Sequence, residues 1–185
     1  RLTRGTHAWG AIFFSTNAQR AAVAQGDTVD IAFTPQINEY RGMRSVQLNL
    51  VDIRPEKTVR DAQGHDRALY RRHLAGEALS CDEAGELLPT RQEFVAVWRY
   101  LSAFSQEGVL SEDLGCLSRK ISRCAGLALS AVKTRICLDV FAEQGLLLLE
   151  QRPKAMRIEL CAAGRKVDLE KSPILIHLKK QKAGT

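Results

Sequence analysis

Carboxylates, histidines and cysteines are the side chains that most often cut bonds or hold metals, and in this sequence they are scattered. The acidic residues of the N-terminal part include Asp27, Asp30, Glu39, Asp52, Asp61 and Asp66. None of these joins a histidine in a metal-binding pattern. Gly64, His65 and Asp66 combine a possible metal ligand with a carboxylate, but they lie in a polar, loop-like stretch without a partner motif. We interpret this triplet as a solvated loop. Because a phosphate-binding glycine loop and a nucleophile elbow are also missing from the sequence, we expect no active site in this chain.

The cysteines are odd in number and widely spread. They are Cys81, Cys116, Cys124, Cys137 and Cys161. None forms a C-x-x-C pair, and none lies at ligand spacing from the four histidines, which are His7, His65, His73 and His177. We therefore expect reduced, buried cysteines, with no zinc and no other cofactor bound to this chain.

Residues 40–44 form the first pattern that could bind a ligand. They place a tyrosine and two arginines around a glycine turn, and the strand that follows has polar side chains on one face. Single-stranded nucleic acid is held by stacking bases on aromatic rings and by pairing phosphates with Arg or Lys. An ordinary exposed hairpin also carries Tyr and Arg, so both interpretations stay open. The candidate DNA contacts of this region are Tyr40, Arg41, Arg44, Gln47 and Asn49.

Residues 118–135 form the second pattern, because they include several cations and no acidic residue. Together with Arg152 and Lys154 in a later turn, they resemble the basic recognition region and basic wing of a DNA-binding winged helix. A protein-docking module is the alternative, since winged helices often serve that purpose and residues 127–129 look like core. The candidate DNA contacts here are Arg119, Lys120, Arg123, Lys133 and Arg135.

Composition limits the class of protein. Of 185 residues, 45% are hydrophobic and 26% are charged, which is typical of a chain that folds around a core. The net charge of +6 permits contact with polyanions without requiring it. No apolar run approaches the roughly 20 residues that cross a bilayer, and no secretion signal is evident. We therefore expect a cytoplasmic protein that begins, at Arg1, inside a strand of a longer parent.

The first 60 residues predict β-structure. Residues 8–14 are a short apolar run, and residues 29–33 alternate between apolar and polar or small side chains before Pro35 interrupts the pattern. Residues 45–50 alternate clearly, and the alternation slips at Val51, as a β-bulge would produce. Short, bulged strands with one polar face indicate a small barrel over residues 1–60. Residues 61–87 predict a linker that includes a short helix over residues 67–79.

Residues 88–185 predict a mainly helical domain. One helix begins at a capping box formed by Thr90 and Glu93, and another begins at Ser130 and ends at Gly145. The other predicted elements are a connection over residues 109–117, a basic helix over residues 118–124, a hairpin of residues 146–150 and 156–161, and a last strand over residues 173–178. Three helices followed by a hairpin are the order of a winged helix-turn-helix. The predicted fold class is therefore mixed α+β, with a small barrel followed by a helical winged-helix-like domain.

Four runs of the N-terminal third resemble a known family. Residues 26–33 read GDTVDIAF and residues 38–42 read NEYRG, and these are followed by SVQL at residues 45–48 and DIRP at residues 52–55. This pattern is similar to the OB-fold domain of bacterial RecJ, the single-strand-specific DNA exonuclease. The run AIFF at residues 11–14 resembles the preceding strand of that domain, and PTRQEF at residues 89–94 resembles the start of the C-terminal domain of longer RecJ proteins.

The resemblance implies an OB-fold barrel, with its first strand cut at Arg1, in a C-terminal piece of a bacterial RecJ-like exonuclease. The Mn²⁺ or Mg²⁺ of such an enzyme would belong to a catalytic core, whose Asp-His-His motifs do not occur in this sequence. We expect the chain to bind single-stranded DNA and guide it to that core, with DNA-repair proteins as further partners. The alternatives are a module that docks a repair partner or the core, and a metal-dependent nuclease in its own right.

The chain is predicted to lack nuclease activity with manganese or magnesium, because it has no clustered carboxylate and histidine ligands. A cleavage assay on labelled single-stranded DNA checks this. Reproducible cleavage that disappears when His65 or Asp66 is replaced would overturn our interpretation of that triplet.

Overall fold

The chain divides into two units, Arg1–Val59 and Arg60–Thr185. The structure is a computed structural model that describes residues 1–14, 23–105, 107–153, 155–161 and 167–184, with the side chain of Tyr40 also outside the description. Its sheets and helices confirm the mixed α+β class. None of the helices within these ranges is long and apolar enough to span a bilayer.

The first unit contains one four-stranded sheet. Its strands are β1 (Leu2–Arg4), β2 (His7–Ile12), β3 (Val29–Tyr40) and β4 (Met43–Pro55). They lie in the order β1-β2-β4-β3, in which β2 and β4 are parallel and the other neighbours are antiparallel. β1 and β3 are therefore the edges of the described sheet, and the long β3–β4 hairpin forms most of its surface.

The β3–β4 ladder contains the predicted β-bulge. Ala32 pairs with Asp52 whereas Phe33 pairs with Leu50, so Val51 has no partner across the ladder. A strand reverses the face of every following side chain if its register slips by one residue. The extra residue therefore keeps the apolar positions before and after the slip on one face of the sheet.

Pro35 does not interrupt the strand as predicted, because β3 continues through it and Pro35 pairs with Leu48. Strands at the edge of a sheet tolerate proline, since one side of their backbone has no partner. The predicted turn is confirmed: Tyr40 pairs with Met43, and only two residues connect them. Both residues of this connection have positive φ, 52° and 76°, which is the type I′ pattern favoured by tight hairpins.

The apolar face of the first unit is poorly covered. Leu48 is the one buried hydrophobic residue that the structure describes in this unit. Phe33, Ile37 and Val46 share its face of the sheet by strand alternation, yet they are exposed. Hydrophobic stabilisation is proportional to the apolar area removed from water, so this face contributes little to the stability of the unit.

The second unit is mainly helical. Its helices are α1 (Lys57–Leu74, which starts in the last residues of the first unit), α2 (Cys81–Leu87), α3 (Arg91–Phe104), α4 (Leu114–Ala125), α5 (Ala131–Glu143) and α6 (Pro173–Ala183). Its strands are β5 (Val109–Glu112), β6 (Leu147–Gln151) and β7 (Met156–Leu160). The strands form an antiparallel sheet in the order β5-β7-β6, which confirms the predicted hairpin and adds β5 to it.

Local capping accounts for several helix starts. The predicted box at α3 is present, since the Glu93 amide donates to Thr90 Oγ1 at 3.3 Å and the Thr90 amide donates to Glu93 Oε2 at 2.6 Å. Ser130 caps α5 as predicted, by accepting from the Lys133 amide at 3.2 Å. The same kind of box, formed by Ser80 and Glu83, begins α2.

Two segments differ from the sequence expectations. Residues 61–87, expected as a linker, hold most of α1 and all of α2 within the second unit. Residues 173–178, expected as a strand, form the first part of α6. Ser172 caps this helix by accepting from the Leu175 amide, and Pro173 at the first position cannot disturb it because no hydrogen bond is needed there.

The described helices of the second unit enclose one apolar core. Its fully buried side chains include Leu87, Leu101, Ile121, Ile136 and Leu178, which come from five helices. Phe141 packs edge-on against both Phe94 and Trp98 beside this core, with ring centroids 5.6 Å and 5.2 Å apart. Residues 127–129 join the core as predicted, since Leu129 is buried and Leu127 packs against the cluster.

Candidate nucleic-acid interface

Four side-chain amides form a ladder on one face of the β3–β4 hairpin. Asn38 Nδ2 donates to Gln47 Oε1 at 3.2 Å, and Gln47 Nε2 donates to Asn49 Oδ1 at 3.2 Å. Asn49 Nδ2 in turn donates to Gln36 Oε1 at 2.7 Å. Each amide has both donor and acceptor groups, so the ladder keeps further hydrogen-bonding capacity for a ligand. We call these four residues the amide ladder.

Gly10 lies beside the amide ladder on the neighbouring strand. It pairs with Gln47 in the parallel β2–β4 ladder, and paired residues of adjacent strands share a face. A Cβ built on Gly10 would meet no atom within 4 Å. A flat ligand can therefore approach the backbone of β2 next to the amide ladder.

Arg44 lies on the opposite face of the hairpin from Gln47 and Asn49. It pairs with Glu39 in the strand ladder, and its Nε donates to Glu39 Oε2 at 3.0 Å. Both side chains are exposed, so this ion pair is weak and open to competition from a phosphate. The structure brings Gln47 and Asn49 together but does not bring Arg44 to them.

Arg41 and Tyr40 lie at the tip of the hairpin. Arg41 is exposed and takes one of the two positive φ values of the turn. The backbone of Tyr40 ends β3, whereas its side chain lies outside the described part of the structure. The tip therefore displays one guanidinium next to the end of the strand that carries Gln36 and Asn38.

Two of the predicted cations in the second unit are engaged in partly buried ion pairs. Lys133 Nζ lies 3.0 Å from Glu93 Oε1, and the Glu93 side chain is only 9% exposed. Lys120 pairs in the same way with Glu112, which is buried. Burial is the largest single effect and lowers the pKa of Lys120, but the hydrogen bond to Glu112 and the nearby Cys116, Glu112 and Tyr100 groups together raise it. Both lysines therefore form ion pairs with carboxylates inside the unit.

Arg135 belongs to a third internal cluster. Its Nε donates to Asp139 Oδ1 at 2.9 Å, its guanidinium lies 5.1 Å from the centre of the Tyr70 ring, and Tyr70 donates to Asp139 Oδ2 at 2.8 Å. Burial, together with the nearby Asp139 charge, raises the pKa of Tyr70 to about 12. The cluster joins α1 to α5 and holds the guanidinium of Arg135 in place.

The remaining predicted cations of this unit differ in exposure. Arg123 is exposed, whereas Arg119 is half-buried and one of its terminal nitrogens is fully enclosed. Arg152 is exposed and pairs with Glu150 at 3.0 Å, and Lys154 lies outside the described residues.

Residues 64–66 lie within α1 and not in a loop, which corrects our interpretation of the sequence. His65 Nε2 lies 2.8 Å from Glu86 Oε2, and this hydrogen bond raises the pKa of His65. Asp66 accepts from the Val132 amide at 3.0 Å, so it caps α5 from another helix, and burial raises its pKa. Within the described ranges, no group of three or more His, Cys, Asp or Glu side chains could hold a metal ion.

The cysteines are only partly as expected. Cys116 and Cys137 are buried, whereas Cys81 and Cys124 are exposed, and Cys161 lies between these extremes. Burial raises the pKa of Cys116 to about 11 and that of Cys137 well above its usual value. The two buried thiols are therefore uncharged and unreactive near neutral pH.

Comparison with known proteins bears on the first unit. Residues 1–52 match the family model of the RecJ OB domain. This match confirms the N-terminal resemblance to RecJ, and it includes Gly10 and the whole amide ladder. No curated protein and no solved structure matches the chain.

Gly10, Gln36 and Asn38 belong to this surface but were not predicted from the sequence as members of it. The signal was present, because residues 34–38 alternate polar and apolar side chains around Pro35. Because Pro35 was expected to interrupt the strand, this alternation was not interpreted as part of one.

Replacing Lys133 with Ala is predicted to destabilise the chain by about 3 kcal/mol, because Glu93 would stay buried without its cation. Urea unfolding measures this free energy. Lys180→Ala is the matched control, since it removes an exposed cation and should change stability by less than about 0.5 kcal/mol. A Lys133→Ala variant with parental stability would show that the Lys133–Glu93 pair is not structural.

Proposed function

We propose that the chain binds single-stranded DNA and guides it to a catalytic core elsewhere in a RecJ-like exonuclease, without cutting DNA itself. The match of residues 1–52 to the RecJ OB domain carries this proposal. OB-folds bind oligonucleotides on one face of their barrel, and stacking and hydrogen bonds there tolerate many base sequences. The Mn²⁺ or Mg²⁺ of the exonuclease belongs to the core, and DNA-repair proteins are further partners.

The amide ladder is the proposed surface for the bases. Amide side chains offer both donors and acceptors, so they can meet the edges of different bases without strong selection. Tyr40 is proposed to stack on a base, while Arg41 and Arg44 pair with phosphates at the tip and on the other face of the hairpin. Unpaired bases expose the faces and edges that such contacts need, which favours single strands over duplexes.

The finer architecture is part of the proposal. An OB-fold barrel for the first unit is supported by the family match and by the bulged, strongly paired hairpin of β3 and β4. A winged-helix-like fold for the second unit is supported by the chain order α3, β5, α4, α5, β6, β7, with β5 pairing to the hairpin. In this arrangement α4 and α5 correspond to the helix-turn-helix.

A protein-docking role for the second unit is the alternative. Five cations were expected to contact DNA there, and three of them, Lys120, Lys133 and Arg135, form internal ion pairs. This observation favours the docking role. In this case the unit docks a repair partner or the catalytic core, and the first unit alone binds DNA.

Gly10→Val tests the amide-ladder surface. A Cβ at Gly10 meets no atom within 4 Å, and valine is favourable in strands, so the variant should fold at least as stably as the parent. The same side chain would stand between the ligand and the amide ladder. We expect its affinity for a labelled oligothymidylate to fall at least about tenfold, measured by fluorescence anisotropy with the full chain.

Ala11→Val is the matched control, because Ala11 pairs with Leu48 and so faces the other side of the same strand. It should leave the affinity unchanged. Tyr40→Ala tests stacking and should weaken binding by about 1–3 kcal/mol with little change in salt dependence. Equal affinities of the Gly10→Val, Ala11→Val and parent chains would rule out this face as the binding surface.

A further inference from the structure

None of the cations discussed above lines a groove between α3 and the end of α4. It encloses about 800 Å³ and runs along the exposed side of α3. The α3 residues that line it include Arg91, Val95, Arg99, Tyr100 and Phe104, and the opposite wall comes from Ile121 and residues 124–127. We call it the α3 groove.

The α3 groove is lined by cations without any carboxylate. Three other grooves of the described second unit each include acidic side chains. One includes Asp168 and Glu170, a second includes Asp66, Asp82 and Glu86, and a third includes Asp66 and Asp113. The α3 groove includes two arginines and no Asp or Glu. It therefore favours an anionic ligand more than those grooves do.

Arg91 and Arg99 are available to such a ligand. Both are exposed, and within the described ranges neither has an ion-pair partner. The acidic residue of the same helix, Glu93, points into the unit, where it pairs with Lys133. The two arginines are eight residues apart, about 12 Å along a helix, so they can contact separate phosphates of one strand.

An aromatic pair, of which one ring is exposed, lies at the end of the same helix. The Tyr100 and Phe104 rings stack with centroids 4.5 Å apart and an interplanar angle of 28°. Phe104 is 55% exposed, so a base can extend the stack on this ring. Aromatic rings beside guanidiniums are the combination that holds single-stranded nucleic acid.

We propose that the α3 groove is a second binding surface for single-stranded nucleic acid, with phosphates on Arg91 and Arg99 and a base stacked on Phe104. The inference rests on the proposed function, because it adds a second contact surface for the same class of ligand. It also adds exposed guanidiniums to those of the first unit, where Arg44 pairs with Glu39 and Arg54 with Asp52. A duplex fits less well, since its bases are already stacked and paired.

The test measures the affinity of the full chain for oligothymidylate over a range of salt concentrations. Replacing both Arg91 and Arg99 with Ala should lower the slope of log affinity against log salt by about 1.4, or about 0.7 for each phosphate contact. Phe104→Ala should weaken binding about tenfold with the slope unchanged, and Phe104→Trp should restore it. All three positions are exposed, and thermal melting confirms that each variant folds.

The matched control replaces Arg67 and Lys180 with Ala, which removes two exposed charges elsewhere on the second unit. It should lower the slope much less than the Arg91 and Arg99 pair does. If the two double variants have equal slopes, the α3 groove is not a binding surface. The proposed function still stands in that case, provided that Gly10→Val weakens binding. A Phe104→Ala variant with parental affinity would also overturn the α3 groove and would favour an acidic protein partner. If the parent chain does not bind oligothymidylate, both proposals fail.

Discussion

Buried carboxylates in the second unit must be neutralised, and this requirement decides which cations remain free for a ligand. A charge that is removed from water without a partner costs several kcal/mol. Glu93 and Glu112 are buried, and Lys133 and Lys120 neutralise them. Asp139 holds Arg135 in the same way. The basic stretch of residues 118–135 is therefore less available to a polyanion than its composition indicates, and the exposed arginines of α3 become the better candidates.

A second constraint acts in the first unit, where strand alternation separates two kinds of chemistry. Gln36, Asn38, Gln47 and Asn49 share one face of the hairpin, while Leu48 and its apolar neighbours occupy the other. Without the bulge at Val51, the residues after it would appear on the wrong face. The amide ladder lies between the turn and the bulge, so its pairing follows the register that the type I′ turn sets.

Features that depend on neighbouring residues could be predicted from the sequence. The Thr90–Glu93 capping box, the turn after Tyr40 and the bulge at Val51 each follow from a pattern a few residues long. The Ser80–Glu83 box is an equally local signal that the analysis overlooked. Contacts between distant parts of the chain could not be predicted, because pattern analysis does not reveal spatial neighbours.

Lys133 and Asp66 show how contacts between distant parts of the chain affect the candidate site. Lys133 finds its carboxylate 40 residues away, and Asp66 caps a helix that begins 65 residues later. Lys133 therefore has a structural partner, while its expected contact with a phosphate stays a prediction, and Asp66 lies in a helix in place of the expected loop. The RecJ resemblance is confirmed for the first unit, because the runs at residues 11–14, 26–33, 38–42 and 45–48 lie within the matched residues 1–52.

Side-chain amide NMR signals of Gln47 and Asn49 give the most direct test of the central claim. The experiment uses an isotope-labelled full chain titrated with unlabelled oligothymidylate, with the backbone amide of Gly10 as an additional probe. The account predicts that these three signals shift together and saturate at the ligand concentration at which anisotropy saturates. If the chain binds the oligonucleotide while these signals stay in place and signals of the opposite face, such as Val46, move, the amide ladder is not the binding surface.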